Sequence, residues 1–390
     1  MRVTIDLSAA AHARGGIGRY SARLAAVLAR APGLQITALY NAPRTAHLPP
    51  ELAALPAVRV PLGDKPWRAG VALARLLGAP LDRWLGHCDV YHATDHLLPP
   101  LRRVPTVFTV HDLAFLAEPR THLPSNRLYL ATMLPRYARA ATAVIADSEA
   151  TRRDLLRYYA LPPERVRVVH LGVEPEFRPL EPAAARARVA ERYGLTAPYV
   201  LFVGTLEPRK NVRALLVAHR ALVRARARRS GEPLPLLAIA GAPGWWYEDL
   251  ARWVRVRGLE ALVRFLGRVP DADLPALYSA CAAFAYPSLY EGFGLPPLEA
   301  LACGAPTVCS NRSSLPEVVG DAALQVDPTR PADLAAALAR VLDDEALRRE
   351  LRARGLARAA QFTWERTAAA TAAIYRQALE ARPRPGRGPA

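Results

Sequence analysis

A chain of 390 residues, 51% apolar and 22% charged, is long enough for two α/β cores and too apolar to be disordered as a whole. Its 52 Lys plus Arg against 35 Asp plus Glu give a formal charge of +17, which favours an anionic partner: nucleic acid, an anionic membrane face or a phosphorylated small molecule. Four cysteines without a C-x-x-C pairing argue against a zinc site or a disulfide scaffold, and no run approaches the ~18 apolar residues of a membrane span.

The first residues, "MRVTIDLSAA", carry Asp6 inside an apolar stretch and read as a strand rather than a signal peptide. Short β-branched runs then alternate with helical patterns: "QITALY", "VRV", "DVYHA", "TVFTVHD" (106–112), "TAVIADS" (142–148) and "RVRVVHLG" (165–172). The proline-rich "VEPEFRPLEP" (173–182) suits a linker. A second series follows: "YVLFVG" (199–204), "LLAIAG" (236–241), "VRFLG" (263–267), "AAFAYPS" (282–288), "PTVCS" (306–310) and "AALQVD" (322–327). This alternation predicts βα units and parallel sheets, with a first domain over 1–173 and a second over 183–361. The helical segment near 362–380 has no strand of its own and is expected to return to the first domain, before a flexible basic tail at 381–390.

In doubly wound sheets ligands sit beyond the carboxyl ends of the strands, so the chemistry is sought there. Gly15, Gly16 and Gly18 open a helix and suit either a tight turn or a phosphate loop, since the third glycine of G-x-G-x-x-G is missing. "TVHDLAF" sets His111 and Asp112 at a strand terminus, where a histidine is more often structural than catalytic. Asp147 and Ser148 read best as a helix cap. In "VGTLEPRKNV", Gly204 ends a strand and Arg209 and Lys210 precede a helix that Asn211 can cap; two cations at a helix N-terminus suit a diphosphate. Lys65 and Lys210 are the two lysines of the chain.

"YEGFGLPPLEALACG" (290–304) encloses the glycine loop Gly292-Phe293-Gly294 between Glu291 and Glu299. Pro296 and Pro297 suit the first turn of a helix that stops at Gly304. Carboxylates accept from hydroxyls and backbone N–H groups bind phosphate, so a pocket bordered by both carboxylates fits a nucleotide sugar.

With these motifs the chain resembles family 4 of the retaining glycosyltransferases. The likeness continues through "ADSEATRRDLL", "VVHLGVEPEFRP", "FLGRVPDADLPALYSAC", "SSLPEVVGDAAL" and "FTWERTA". It implies the GT-B fold, α/β with two Rossmann-like doubly wound parallel-sheet domains facing a cleft and a C-terminal helix crossing back to the N-terminal domain. It further implies that Arg209 and Lys210 hold the donor diphosphate beside Gly204, Thr205 and Gly16, that Glu291, Gly292, Phe293, Gly294 and Leu295 hold the transferred sugar, and that Glu299 binds the ribose. His111 would face the reacting sugar, making it catalytic together with Arg209, Lys210 and Glu291, and Gly15, Gly16, His111 and Asp112 would serve the acceptor. Thr205 departs from the arginine that many members carry there. No metal and no cofactor are implied.

The function expected is transfer of mannose or glucose from a nucleoside diphosphate, GDP-mannose slightly ahead of UDP-glucose, to a sugar or lipid-linked acceptor in glycan or cell-envelope polysaccharide synthesis. A cytoplasmic place is expected, with "DKPWRAGVALARLLGAPLDRWLG" (64–86) either an ordinary surface helix or a peripheral contact with an anionic membrane. Competing readings are an NAD-dependent dehydrogenase, disfavoured by the incomplete glycine fingerprint, a nucleotide-sugar-binding protein without transferase activity, and a nucleic-acid binder, for which no module is visible. Glu291 as a covalent nucleophile ranks low.

Overall fold

The computed structural model describes residues 1–42, 47–85, 87–228, 234–244 and 247–381. The chain forms two compact units, one of Met1–Leu116, His122–Gly172 and the chain from Trp364, the other of Ala117–Thr121 and Val173–Thr363. The basic tail expected at 381–390 lies, but for Ala381, outside the described residues.

The first unit is built on seven parallel strands: β1 (Arg2–Asp6), β2 (Gln35–Asn41), β3 (Ala57–Val60), β4 (Val90–Ala93), β5 (Thr106–Val110), β6 (Ala143–Ala146) and β7 (Val166–Val168), in the order β3-β2-β1-β4-β5-β6-β7. The order reverses between β1 and β4, where Val3 pairs with both Ile36 and Val90. Every residue of β4 and β5 is buried, as expected for a parallel sheet covered on both faces. Helix Gly15–Leu28 covers one face beside helix Trp364–Glu380.

That last helix is tied into the core by a polar chain. Tyr375 OH lies 2.7 Å from His92 Nδ1, His92 Nε2 lies 2.8 Å from Thr109 Oγ1, and Thr109 Oγ1 lies 2.9 Å from Tyr20 OH. Thr367 Oγ1 donates to His170 O at 2.8 Å. Burial pulls His92 down to about 3, so the histidine is neutral and can both accept and donate along the chain.

The second unit carries six parallel strands: β8 (Tyr199–Val203), β9 (Leu236–Ala240), β10 (Val263–Gly267), β11 (Ala283–Tyr286), β12 (Thr307–Ser310) and β13 (Ala323–Val326), ordered β10-β9-β8-β11-β12-β13. Here the reversal falls between β8 and β11. Beyond β9 the backbone at Gly241 passes so close to β8 that a Cβ would sit 1.9 Å from Gly204 O, so only glycine fits. The stretch 173–182 is less of a free linker than its prolines suggest. Val173 N donates to Phe362 O at 3.1 Å, and Glu181 caps helix Pro182–Tyr193 by accepting from Ala184 N at 2.7 Å.

Candidate active site

In the second unit the turn after β8 is one 3-10 turn, Pro208–Lys210, followed by Asn211 in the left-handed region at φ +55°. The sequence suggests that Asn211 caps helix Val212–Arg226 with its side chain; instead its amide donates to Pro287 O at 3.2 Å and Pro328 O at 2.7 Å. A left-handed Asn supplies the bend, and its freed side chain ties this turn to the segments following β11 and β13. The Arg209 carbonyl in turn accepts from Leu289 N at 2.9 Å, which joins the turn to the loop beyond β11.

These links bring Arg209, Lys210 and Glu291 together. Glu291 Oε1 accepts from Lys210 Nζ at 2.7 Å, Tyr286 OH at 3.0 Å and Ser288 Oγ at 2.6 Å, while Oε2 accepts from Arg209 Nη1 at 2.7 Å. Arg209 Nη1 also reaches Tyr290 O at 2.7 Å, and Lys210 Nζ donates to Tyr286 OH at 2.7 Å. Burial by itself would raise the Glu291 carboxyl, which is 6% exposed, but the Arg209 and Lys210 charges and the bonds from Lys210 and Ser288 bring it down to about 2. Burial pulls the Lys210 ammonium down, and the Glu291 charge opposes that. Glu207 Oε2 also lies 3.8 Å from Arg209 Nη2, so the two cations face two carboxylates, of which Glu291 is the buried one.

The glycine loop is clamped from β12. Ser313, at φ +53°, accepts from Glu291 N at 2.8 Å, and the Ser314 hydroxyl lies 2.9 Å from Glu291 O and 2.7 Å from Phe293 O. Gly294, at φ +115°, enters helix Leu295–Ala302 where a Cβ would lie 2.7 Å from Leu315 Cδ2. Pro296 and Pro297 fill the first turn of that helix, and Gly304 follows its end at φ +73°. Glu299 sits on the same helix, 1% exposed, with Oε2 accepting from Tyr278 OH at 2.9 Å. Thr205 is exposed beyond β8.

In the first unit, Gly15 takes φ +42° and opens helix Gly15–Leu28, and nothing lies within 4 Å of a Cβ built on Gly16. Gly18 has a different reason: its Cβ would lie 2.7 Å from Ala9 O, so it serves packing. Arg14, just before the loop, pairs with Asp64 and Asp95. Asp112 Oδ1 accepts from Ala114 N at 2.9 Å. Ser148 Oγ accepts from Thr151 N at 3.1 Å, the cap its position predicts. Asp147 does something the sequence reading missed: its Oδ2 lies 2.6 Å from His111 Nδ1. Tyr286, Ser288, Ser313 and Ser314 were also missed. The sole sequence signal for the last two was their place in "SSLPEVVGDAAL". Among the described residues no cluster of three or more His, Cys, Asp or Glu could hold a metal ion, and no helix is long and apolar enough to cross a membrane.

Comparison with known proteins places two family models on the chain. Residues 14–177 match Glycosyltransferase Family 4 and residues 186–358 match Glycosyl transferases group 1. An O-antigen chain mannosyltransferase B of Escherichia coli is 40% identical over 291 residues, 74% of each chain. A D-inositol 3-phosphate glycosyltransferase of Streptomyces bingchenggensis is 31% identical over 397 aligned positions, 94% of this chain and 85% of that protein. Among solved structures, sucrose-phosphate synthase from Thermosynechococcus elongatus superposes with a TM-score of 0.78 at 23% identity, covering 98% of this chain and 100% of that one.

Proposed function

The chain is a family 4 glycosyltransferase with the GT-B fold, an enzyme of hexosyl transfer in glycan biosynthesis, and on that premise we propose that it is a retaining mannosyltransferase that uses GDP-mannose to extend a polysaccharide. The family assignment overturns the dehydrogenase reading. The observation that carries the proposal is the meeting of Arg209, Lys210 and Glu291 at the carboxyl ends of β8 and β11. Mannose is preferred to glucose because the E. coli relative is named a mannosyltransferase.

In this reading the donor diphosphate binds Arg209 and Lys210 beside Gly204 and Thr205. Its charge displaces Glu291 from the two cations, and the freed carboxylate accepts from hydroxyls of the transferred sugar. The loop Gly292–Gly294 and Leu295 border that sugar, and Glu299 accepts from the ribose. As the anomeric bond breaks, negative charge grows on the leaving phosphate. Cations already fixed by the Tyr286 hydroxyl and the Tyr290 carbonyl stabilise it without reorganising at the moment of reaction. Gly15, Gly16, His111 and Asp112 serve the acceptor.

The acceptor is read as a sugar, free or lipid-linked, with the enzyme in the cytoplasm. Leu73, Leu76 and Leu77, at 57%, 60% and 73% exposure on and beyond helix Asp64–Leu76, favour peripheral membrane contact there. Arg75 is not part of such a face, since it turns inward to the Leu98 and Pro99 carbonyls. Sedimentation with anionic liposomes at low and moderate salt tests this contact, and its absence at both would end it.

The main test is hydrolysis and transfer with a panel of GDP- and UDP-hexoses, read by mass spectrometry. GDP-mannose should be turned over fastest, with retention of anomeric configuration. Turnover of UDP-glucose alone would overturn the mannosyl reading, and an inverted product would overturn the retaining one.

A further inference from the structure

His111, at the carboxyl end of β5, has both ring nitrogens committed. Nε2 lies 2.9 Å from the carbonyl oxygen of Thr94, which can only accept, so Nε2 carries a hydrogen. Nδ1 lies 2.6 Å from Asp147 Oδ2, and the two side chains are only 10% and 3% exposed. The other Asp147 oxygen, Oδ1, is buried without a hydrogen-bond partner. Burial raises the Asp147 carboxyl, and the His111 charge and hydrogen bond oppose that, so the carboxylate is kept ionised only by a positive charge against it.

We propose that Asp147 is a positioning residue for the transfer: it fixes the His111 ring in one orientation and keeps a proton on each of its nitrogens, so that His111 acts as a cation held in place and not as a base. This rests on the reading of His111 as a residue of the acceptor side. A base needs a nitrogen lone pair directed at the hydroxyl it deprotonates, and here both nitrogens are spent on Thr94 and Asp147.

The Tyr20 ring, from helix Gly15–Leu28, stands nearly perpendicular to that of His111 at 4.9 Å between centroids. The His96 ring stands 6.2 Å away, Asp95 adjoins it beyond β4, His92 lies on β4, Asp112 follows His111, and His170 acts on Asp147 from beyond β7. Burial alone would lower His111, but Asp147, with Thr94 and Asp95, holds it up to about 9.

The test is Asp147→Asn, whose amide matches the shape of the carboxylate but cannot balance a second ring proton. In the wild type kcat should hold through neutral pH and fall as pH rises through about 9. In Asp147→Asn that limb should move below about pH 7 and kcat at pH 8 should fall about tenfold or more, with the donor KM within about twofold. Asp147→Glu should recover part of kcat and bring the limb back up. An equal loss of kcat at every pH with the limb unmoved would mark Asp147 as merely structural and overturn the proposal, as would no loss at all. Should no transferase activity be found, 15N shifts of His111 still decide: two protonated nitrogens at pH 7.5 support the held cation, and a neutral tautomer overturns it.

Discussion

Lys210 Nζ and Glu291 Oε1 meet at 2.7 Å although 81 residues separate them, and Arg209 takes the other oxygen of the same carboxylate. The strand order makes this contact: β8 and β11 are neighbours in the sheet, so the turns that follow them share one end of it. A carboxylate between two cations is poised to exchange partners when a diphosphate arrives.

Lys210→Ala should therefore lower kcat/KM on the order of 10², comparable to loss of one oxyanion donor. Steady-state kinetics showing a change under about threefold would refute this role. The pair also predicts a pH dependence. Because the folded Glu291 carboxyl is depressed to about 2, its contribution to stability is full above the ordinary value of 4.5 and is lost as pH falls toward 2. Denaturant midpoints of the wild type and Glu291→Gln should differ most at neutral pH and converge on acidification.

Gly294→Ala should destabilise the second unit by roughly 1–3 kcal/mol, since alanine is strained at φ +115° and its Cβ would press on Leu315. Donor turnover should fall with it because the loop that carries Glu291 would shift. Thermal melting of the variant is the check, and an unchanged Tm contradicts the account.

Asp6 gives the opposite sign. Burial is the chief cause that raises its carboxyl to about 6, against hydrogen bonds from Ser8. A raised carboxyl favours folding while it stays protonated, and the benefit is lost as pH climbs from the ordinary 3.8 through about 6. Asp6→Asn keeps an oxygen for Ser8 N, now 2.9 Å away, and should raise Tm at pH 8 but not at pH 4. A lower Tm at pH 8 would reject this.

Thr205→Arg adds, at an exposed position just after β8, the arginine that the family resemblance leads one to expect there. Binding of GDP, followed by calorimetry, should tighten about fivefold, equivalent to ~1 kcal/mol for an added charged contact. Unchanged affinity would place residue 205 outside the diphosphate site.

The sequence shows what depends on near neighbours. The β-branched runs mark the strands, the glycines at 15 and 294 mark turns that need positive φ, and the prolines at 296 and 297 mark a helix start. Arg209 and Lys210 stand out because two cations precede a helix. What it hides are pairings that only the sheet order creates. Ser313 and Ser314 hold the glycine loop from 21 to 23 residues away, and Asp147 reaches His111 across 36. Asn211 misleads for a related reason: the local rule makes it a cap, but two distant carbonyls outbid the helix for its amide.

The hydrogen bond from Tyr375 to His92 spans 283 positions, and it sets an order on how this protein can be made. A ribosome releases the seven strands of the first sheet long before it reaches Tyr375, so β4 and β5 must wait without the helix that packs on them beside Gly15–Leu28 while the second unit emerges. The nascent first unit should thus be a client for chaperones until helix Trp364–Glu380 emerges. Pulse proteolysis of chains arrested before and after residue 380 would reveal it, and equal resistance in both would refute it.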